Sequence, residues 1–258
     1  MNVHVLVTLR NLELVRASTM VFDTIRIGFP SAEIVPWDNI QKFAVGDSKL
    51  LAGAELNPLP KGVTIHHEWI EHLLHIEHAP FWICDTDVVF WDKVEHCKFD
   101  AVPMAGRYIP QFRDSFTKCI TRPRLHTSLL WLNPQRIKEE TAKYFSQFPE
   151  TQFNPRPNLF YPMFHPVGPP ELFGKAMPQT NYFYDTCSLL YHAIGGEPFT
   201  TDILDAYDHL NFGTISDLVC PHYPETHWRE NHFAVFENPQ LLKGAWKVQE
   251  QFYRANAA

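Results

Sequence analysis

Between Phe81 and Trp91 the chain reads Phe-Trp-Ile-Cys-Asp-Thr-Asp-Val-Val-Phe-Trp, two aspartates held between two apolar runs. This segment constrains the fold more than any other. Phe81 to Cys84 is short, apolar and preceded by Pro80, the pattern of a buried strand. Asp85 and Asp87 then stand at its C-terminal end. Carboxylates enclosed by apolar runs are costly unless they are hydrogen-bonded or paired with a cation. In open α/β sheets, ligands bind outside the carboxyl ends of the strands, which is where this pair falls.

The rest of the chain reads as the sheet that such a strand needs. Val3 to Arg10 is a strand and loop, Leu12 to Arg26 carries apolar residues at helical spacing, and Glu33 to Pro36 is a second strand. Trp37-Asp38-Asn39 is expected as the loop that follows. This opening is a βαβ unit. A helix is expected over 64–78, a strand over Ser128 to Asn133 and a helix over 134–148. A helical pattern returns from Tyr184 to Ile194 and again around Leu241 to Phe252. From Phe148 to Gln179 there are eight prolines. An aperiodic stretch of that length inside a compact domain is expected to lie over or beside a site. No internal repeat or composition break marks a boundary. One α/β domain over 1–258 is therefore expected, its mostly parallel central sheet flanked by helices. Its nucleotide-binding half covers about 1–100 and its acceptor-side half about 101–258.

Composition narrows the function classes. The chain has 258 residues, 45% hydrophobic and 20% charged, a globular balance. A net charge of −7 argues against a general binder of nucleic acid or anionic membrane. The five cysteines have no CxxC spacing and mostly sit in apolar runs, so they are expected as reduced structural thiols. No apolar run reaches the roughly 20 residues that span a bilayer, and no leader pattern is seen. A cytoplasmic location is the expectation.

Carboxylate oxygens suit hard divalent cations, Mn²⁺ or Mg²⁺, which can bridge the phosphates of a nucleoside diphosphate. The segment Phe81 to Trp91 resembles the DXD segment of GT-A glycosyltransferases. The order of parts is similar to that fold over roughly residues 3 to 215, and Arg124 to Pro134 resembles a strand of its family-8-like members. His126-Thr127-Ser128 there replaces the usual small-polar-glycine step. The resemblance implies transfer of a hexosyl or pentosyl group from a nucleotide sugar, UDP-linked, to an acceptor hydroxyl, with Asp85 and Asp87 on the metal. It places Thr8, Arg10, Asp38, Asn39, Asp85 and Thr86 at the donor; the first four read equally as loop polars and a helix cap. Asp185 is implied as general base in an inverting reaction or as a sugar contact in a retaining one, and reads equally as a helix-start aspartate. His209, in Asp208-His209-Leu210-Asn211-Phe212-Gly213, resembles the histidine that completes the metal shell, with His222, His227 and His232 as rivals.

Arg107, Arg113, Lys118, Arg122 and Arg124 form a basic cluster in an acidic chain. Arg107, Arg124, His126 and Tyr184 are expected to meet an anionic acceptor (glycan, lipid-linked or nucleic-acid hydroxyl) or the donor's phosphates. The histidines of helix 64–78 do not form a zinc motif: Glu71 stands where HExxH needs its second histidine. That face is expected to be solvated and charge-paired. Two other classes fit the pattern less well. A haloacid-dehalogenase-like phosphatase would use Asp85 as nucleophile and Asp87 as acid/base, but Val88-Val89 follows where Gly-Thr is usual. A non-catalytic carbohydrate-binding protein would not need both aspartates.

Overall fold

The computed structural model describes residues 1–7, 24–38, 56–63, 66–85, 88–94, 99–113, 119–147, 158–165, 182–209 and 243–257. The chain is mixed α/β, with a large, mostly parallel central sheet flanked by helices. The contacts divide it into two compact units, each assembled from separated stretches of sequence.

The first unit comprises 1–61, 82–98 and 199–252. Its centre is β1 (Asn2–Val7), with five of six residues buried. Burial on both faces is what a parallel interior strand requires, and a Val-rich run interrupted only by His4 supplies it. β2 (Glu33–Asp38) and β4 (Phe81–Asp85) lie parallel on either side of β1, and β3 (Asn57–Pro58) extends the sheet beyond β2. His4 is the polar exception within β1. Its Nδ1 accepts a hydrogen bond from Trp37 Nε1 at 3.0 Å, which satisfies both groups inside the core. Residues 24–28 are helical. A β-carbon on Gly28 would stand 2.4 Å from the Phe90 ring, so only glycine fits there. β5 (Val88–Phe90) pairs antiparallel with β13 (Tyr207–His209), which follows α4 (Thr201–Ala206).

The second unit comprises 62–81, 99–198 and 253–258. β6 (Met104–Ile109) lies between β12 (Glu197–Pro198), parallel to it, and β9 (Arg124–Leu132), antiparallel to it. A small sheet runs β10 (Met163–His165), β11 (Tyr182–Tyr184), β8 (Ile120–Thr121), β7 (Phe112–Arg113). α1 (His66–Ile76) buries His67, Trp69, Ile70 and Leu73 and leaves Glu68, Glu71 and His72 at least partly in solvent. α2 (Pro134–Ser146) is capped by Asn133, whose Oδ1 accepts from the Arg136 N–H, with Pro134 in the first turn. α3 (Ser188–Ile194) follows the small sheet. α5 (Ala245–Ala255) starts in the stretch 199–252 and ends in 253–258.

Several boundaries differ from the sequence reading, each for a tertiary reason. Trp37 and Asp38 belong to β2 because the ladder with β1 continues to Val7↔Asp38. β9 begins at Arg124, four residues early, because Leu125 and Arg124 pair with Tyr108 and Ile109. Tyr184 ends a strand rather than opening a helix, since β11 is held between β10 and β8; the helix starts only at Ser188. Cys84, Cys119 and Cys187 are free thiols, all buried. No described helix is long and apolar enough to cross a membrane.

Candidate functional site

In the first unit, the parallel ladders bring two expected residues to one edge. Val7 pairs with Asp38 on one side of β1, and Leu6 pairs with Asp85 on the other. Both aspartates end their strands, and both are half-buried. The backbone of β1 therefore sets two carboxylates at the carboxyl edge of three adjacent strands, the place where such sheets take ligands.

The β5–β13 ribbon adds a third residue. His209 lies directly across from Val88, the residue after Asp87, and is 6% exposed. The ribbon is fixed further by the N–H groups of Trp91 and Asp92, which both donate to the Ala206 carbonyl at 2.7 and 3.2 Å. The described residues that the sequence reading assigned to a metal are therefore Asp85, at the end of β4, and His209, at the end of β13. Thr8, Arg10, Asn39, Thr86 and Asp87 themselves lie outside the described residues, as do His222, His227 and His232. Among the described residues, no three His, Cys, Asp or Glu side chains form a metal-binding group. Of the proline-rich stretch, only 158–165 is described.

Sequence reasoning missed Asp208. It is 1% exposed, and its carboxylate accepts three hydrogen bonds. Trp91 Nε1 and the Gly244 N–H donate to Oδ2 at 2.8 and 2.7 Å, and the Trp246 N–H donates to Oδ1 at 3.0 Å. Gly244 takes a φ of +90°, which glycine adopts without strain and which turns its N–H into the group. The signal available in the sequence was an acid in the run Ala206-Tyr207-Asp208-His209. Its donors at 244 and 246 have no local signature.

In the second unit the expected acceptor-side residues divide by burial. Asp185 Oδ2 forms an ion pair with the Arg124 guanidinium at 2.8 Å, and Oδ1 accepts the Thr186 N–H at 2.8 Å. Asp185 is 36% exposed and Arg124 12%. The aspartate stands three residues ahead of α3, where its backbone carbonyl, not its side chain, receives the Ser188 N–H. The helix is entered through Cys187, whose φ of 61° is the left-handed conformation rarely taken by a residue with a side chain. Burial pushes the Cys187 thiol well above the ordinary range, with the Asp185 charge adding to it, so this cysteine is an inert core group. His126 Nδ1 accepts from the Ser128 N–H at 3.1 Å, so its Nε2 is the nitrogen turned to other partners. Arg122 bonds Gln111 at 2.7 Å and lies over the Tyr182 ring. Arg107 and Tyr184 are 3% and 0% exposed and pack in the interior.

No family model matches the chain, and no curated protein matches it. Solved structures similar to it include the apo form of the glycosyltransferase GlyE from Streptococcus pneumoniae TIGR4, at 11% identity and a TM-score of 0.33. That match covers 57% of this chain, which spans 37% of the length of GlyE. Another is the galactosyltransferase LgtC in complex with donor and acceptor sugar analogues, at 9% identity and a TM-score of 0.38, covering 92% of this chain and 95% of LgtC. Likeness of this degree assigns no family.

Proposed function

We propose that this chain is a glycosyltransferase that moves a sugar from a UDP-sugar to an acceptor hydroxyl. The observation that carries the reading is the register of β1, β2, β4 and the β5–β13 ribbon. That register ends β2 at Asp38 and β4 at Asp85 on the carboxyl edge of adjacent parallel strands, and it pairs His209 with Val88, three residues on from Asp85.

In this reading Asp85, Asp87 and His209 hold a divalent cation, Mn²⁺ or Mg²⁺. Bound there, the cation offsets the charge of the departing diphosphate. Asp38 accepts hydrogen bonds from the ribose hydroxyls, with Thr8, Arg10, Asn39 and Thr86 as further donor contacts. On the acceptor side Asp185 receives the proton of the attacking hydroxyl. Arg124 and the Thr186 N–H hold its carboxylate in one orientation, which a positioned base requires.

Two measurements test the reading. UDP titrated by calorimetry should bind with Mn²⁺ at least as well as with Mg²⁺, and much more weakly in EDTA, because carboxylates and diphosphate repel without a cation between them. Equal affinity in EDTA removes the metal from the reading. Asp185→Asn keeps the acceptor for Thr186 and loses the charge. If Asp185 is the base, kcat falls ~10²–10⁴-fold with little change in donor KM. The fold should hold, since a part-exposed ion pair contributes at most about 1 kcal/mol. Turnover within tenfold of wild type would reduce Asp185 to an anchor for the Cys187 turn.

A further inference from the structure

We infer that Asp208 is a positioning residue for this site, acting through His209; the inference rests on the metal reading above. Neighbouring residues of a strand face opposite sides, so Asp208 and His209 project to opposite faces of β13. On its face, the buried Asp208 carboxylate ties three stretches together: β13 itself, Trp91 just beyond β5, and Gly244 with Trp246 at the start of α5. The β5–β13 pairing that sets His209 opposite Val88 has three residue pairs among the described residues. A ribbon so short fixes a side chain poorly without outside support. The three charge-assisted bonds to Asp208 supply it from the side away from the imidazole.

A chain slipped by one residue would carry His209 to the other face. The carboxylate opposes that slip because any shift of β13 leaves a buried charge short of donors. The side chain does not meet the substrate in this reading. It holds the imidazole that would ligate the cation.

Mn²⁺ affinity of the full chain, read by electron paramagnetic resonance, tests this. Asp208→Asn puts an amide NH₂ against N–H donors and breaks the group without changing its size. Mn²⁺ affinity is expected to fall ~10–100-fold, the range for outer-shell groups that orient a ligand. His209→Ala should fall similarly, and the double variant should be no weaker than His209→Ala alone. Trp91→Phe removes one donor and no charge, and keeps the test valid if Asp208→Asn does not fold. It should lose several-fold in Mn²⁺ affinity, while Asp205→Asn, which breaks the nearby exposed pair with Lys247, should lose none. Wild-type affinity in Asp208→Asn or, where that variant does not fold, in Trp91→Phe, with tight binding by the parent, overturns this inference alone. Further loss in the double variant overturns the route through His209. Absence of Mn²⁺ binding by the parent protein overturns the metal reading itself, and this inference with it.

Discussion

Asp87→Asn is expected to abolish sugar transfer while leaving the fold intact. Asn has the size of Asp and most of its hydrogen-bonding capacity but no charge, so the substitution should change packing little. In the proposed reading what is lost is a ligand of the cation that would offset the charge of the departing diphosphate, and one lost charge-stabilising contact commonly costs ~10²–10³ in rate. Asp85→Asn should weaken activity strongly but less completely, because Asp85 is also expected to reach the donor. The apo protein should melt at the same temperature or slightly higher, since two close carboxylates repel when no cation lies between them. The added stabilisation by Mn²⁺ and UDP should disappear in Asp87→Asn. Radiolabelled donor turnover and paired thermal melts check both halves. Near-wild-type turnover would take away the main support of the proposed function.

Trp82→Ala should be the most destabilising single change in the first unit. Trp82 is 1% exposed in β4, beside Val3 of β1, with its ring 5.3 Å from Phe29 and 5.9 Å from Phe199. Removing it leaves a cavity that rigid aromatic neighbours fill poorly. Truncations of this kind cost ~3–5 kcal/mol, and at ~2–4 °C per kcal/mol the melting temperature should drop by roughly 6–20 °C. Trp82→Phe keeps a ring in place and should lose distinctly less. Because β4 ends at Asp85, the fraction active should follow the fraction folded across a urea titration. A melt within ~2 °C of wild type would mean that Trp82 is not packed as described.

The parts of the fold that the sequence shows are those set by local pattern. Val3 to Val7 and Phe81 to Cys84 are apolar runs short enough to be strands, and Asn133-Pro134 is a helix start by capping chemistry. The boundaries at Asp38, Arg124 and Tyr184 were not legible, because each is decided by a partner strand remote in sequence. The same division holds for the site. Asp85 announces itself between two apolar runs. Asp208 does not, since a buried aspartate is recognisable only through its donors, and these lie 117 residues before it and 36 and 38 residues after it. Nor is the burial of Arg107 and Tyr184 legible in the sequence: both lie in the interior because of the strands packed against β6 and β11.

The division of the chain into interleaved stretches has a consequence for its synthesis. The first unit needs 1–61, 82–98 and 199–252, and the second needs 62–81, 99–198 and 253–258. A nascent chain emerging at ~5–20 residues per second has its first strands available early, yet the first unit lacks a part until residue 252 has emerged and the second until 258. The donors at 244 and 246 arrive 36 and 38 residues after the Asp208 they serve. Earlier lengths expose apolar strands such as β1 and β4 with their neighbours incomplete, the state in which chains aggregate. Ribosome-stalled chains ending near residue 200 should therefore be protease-sensitive throughout, and protection should appear at once, in both units, when the stall is moved past 258.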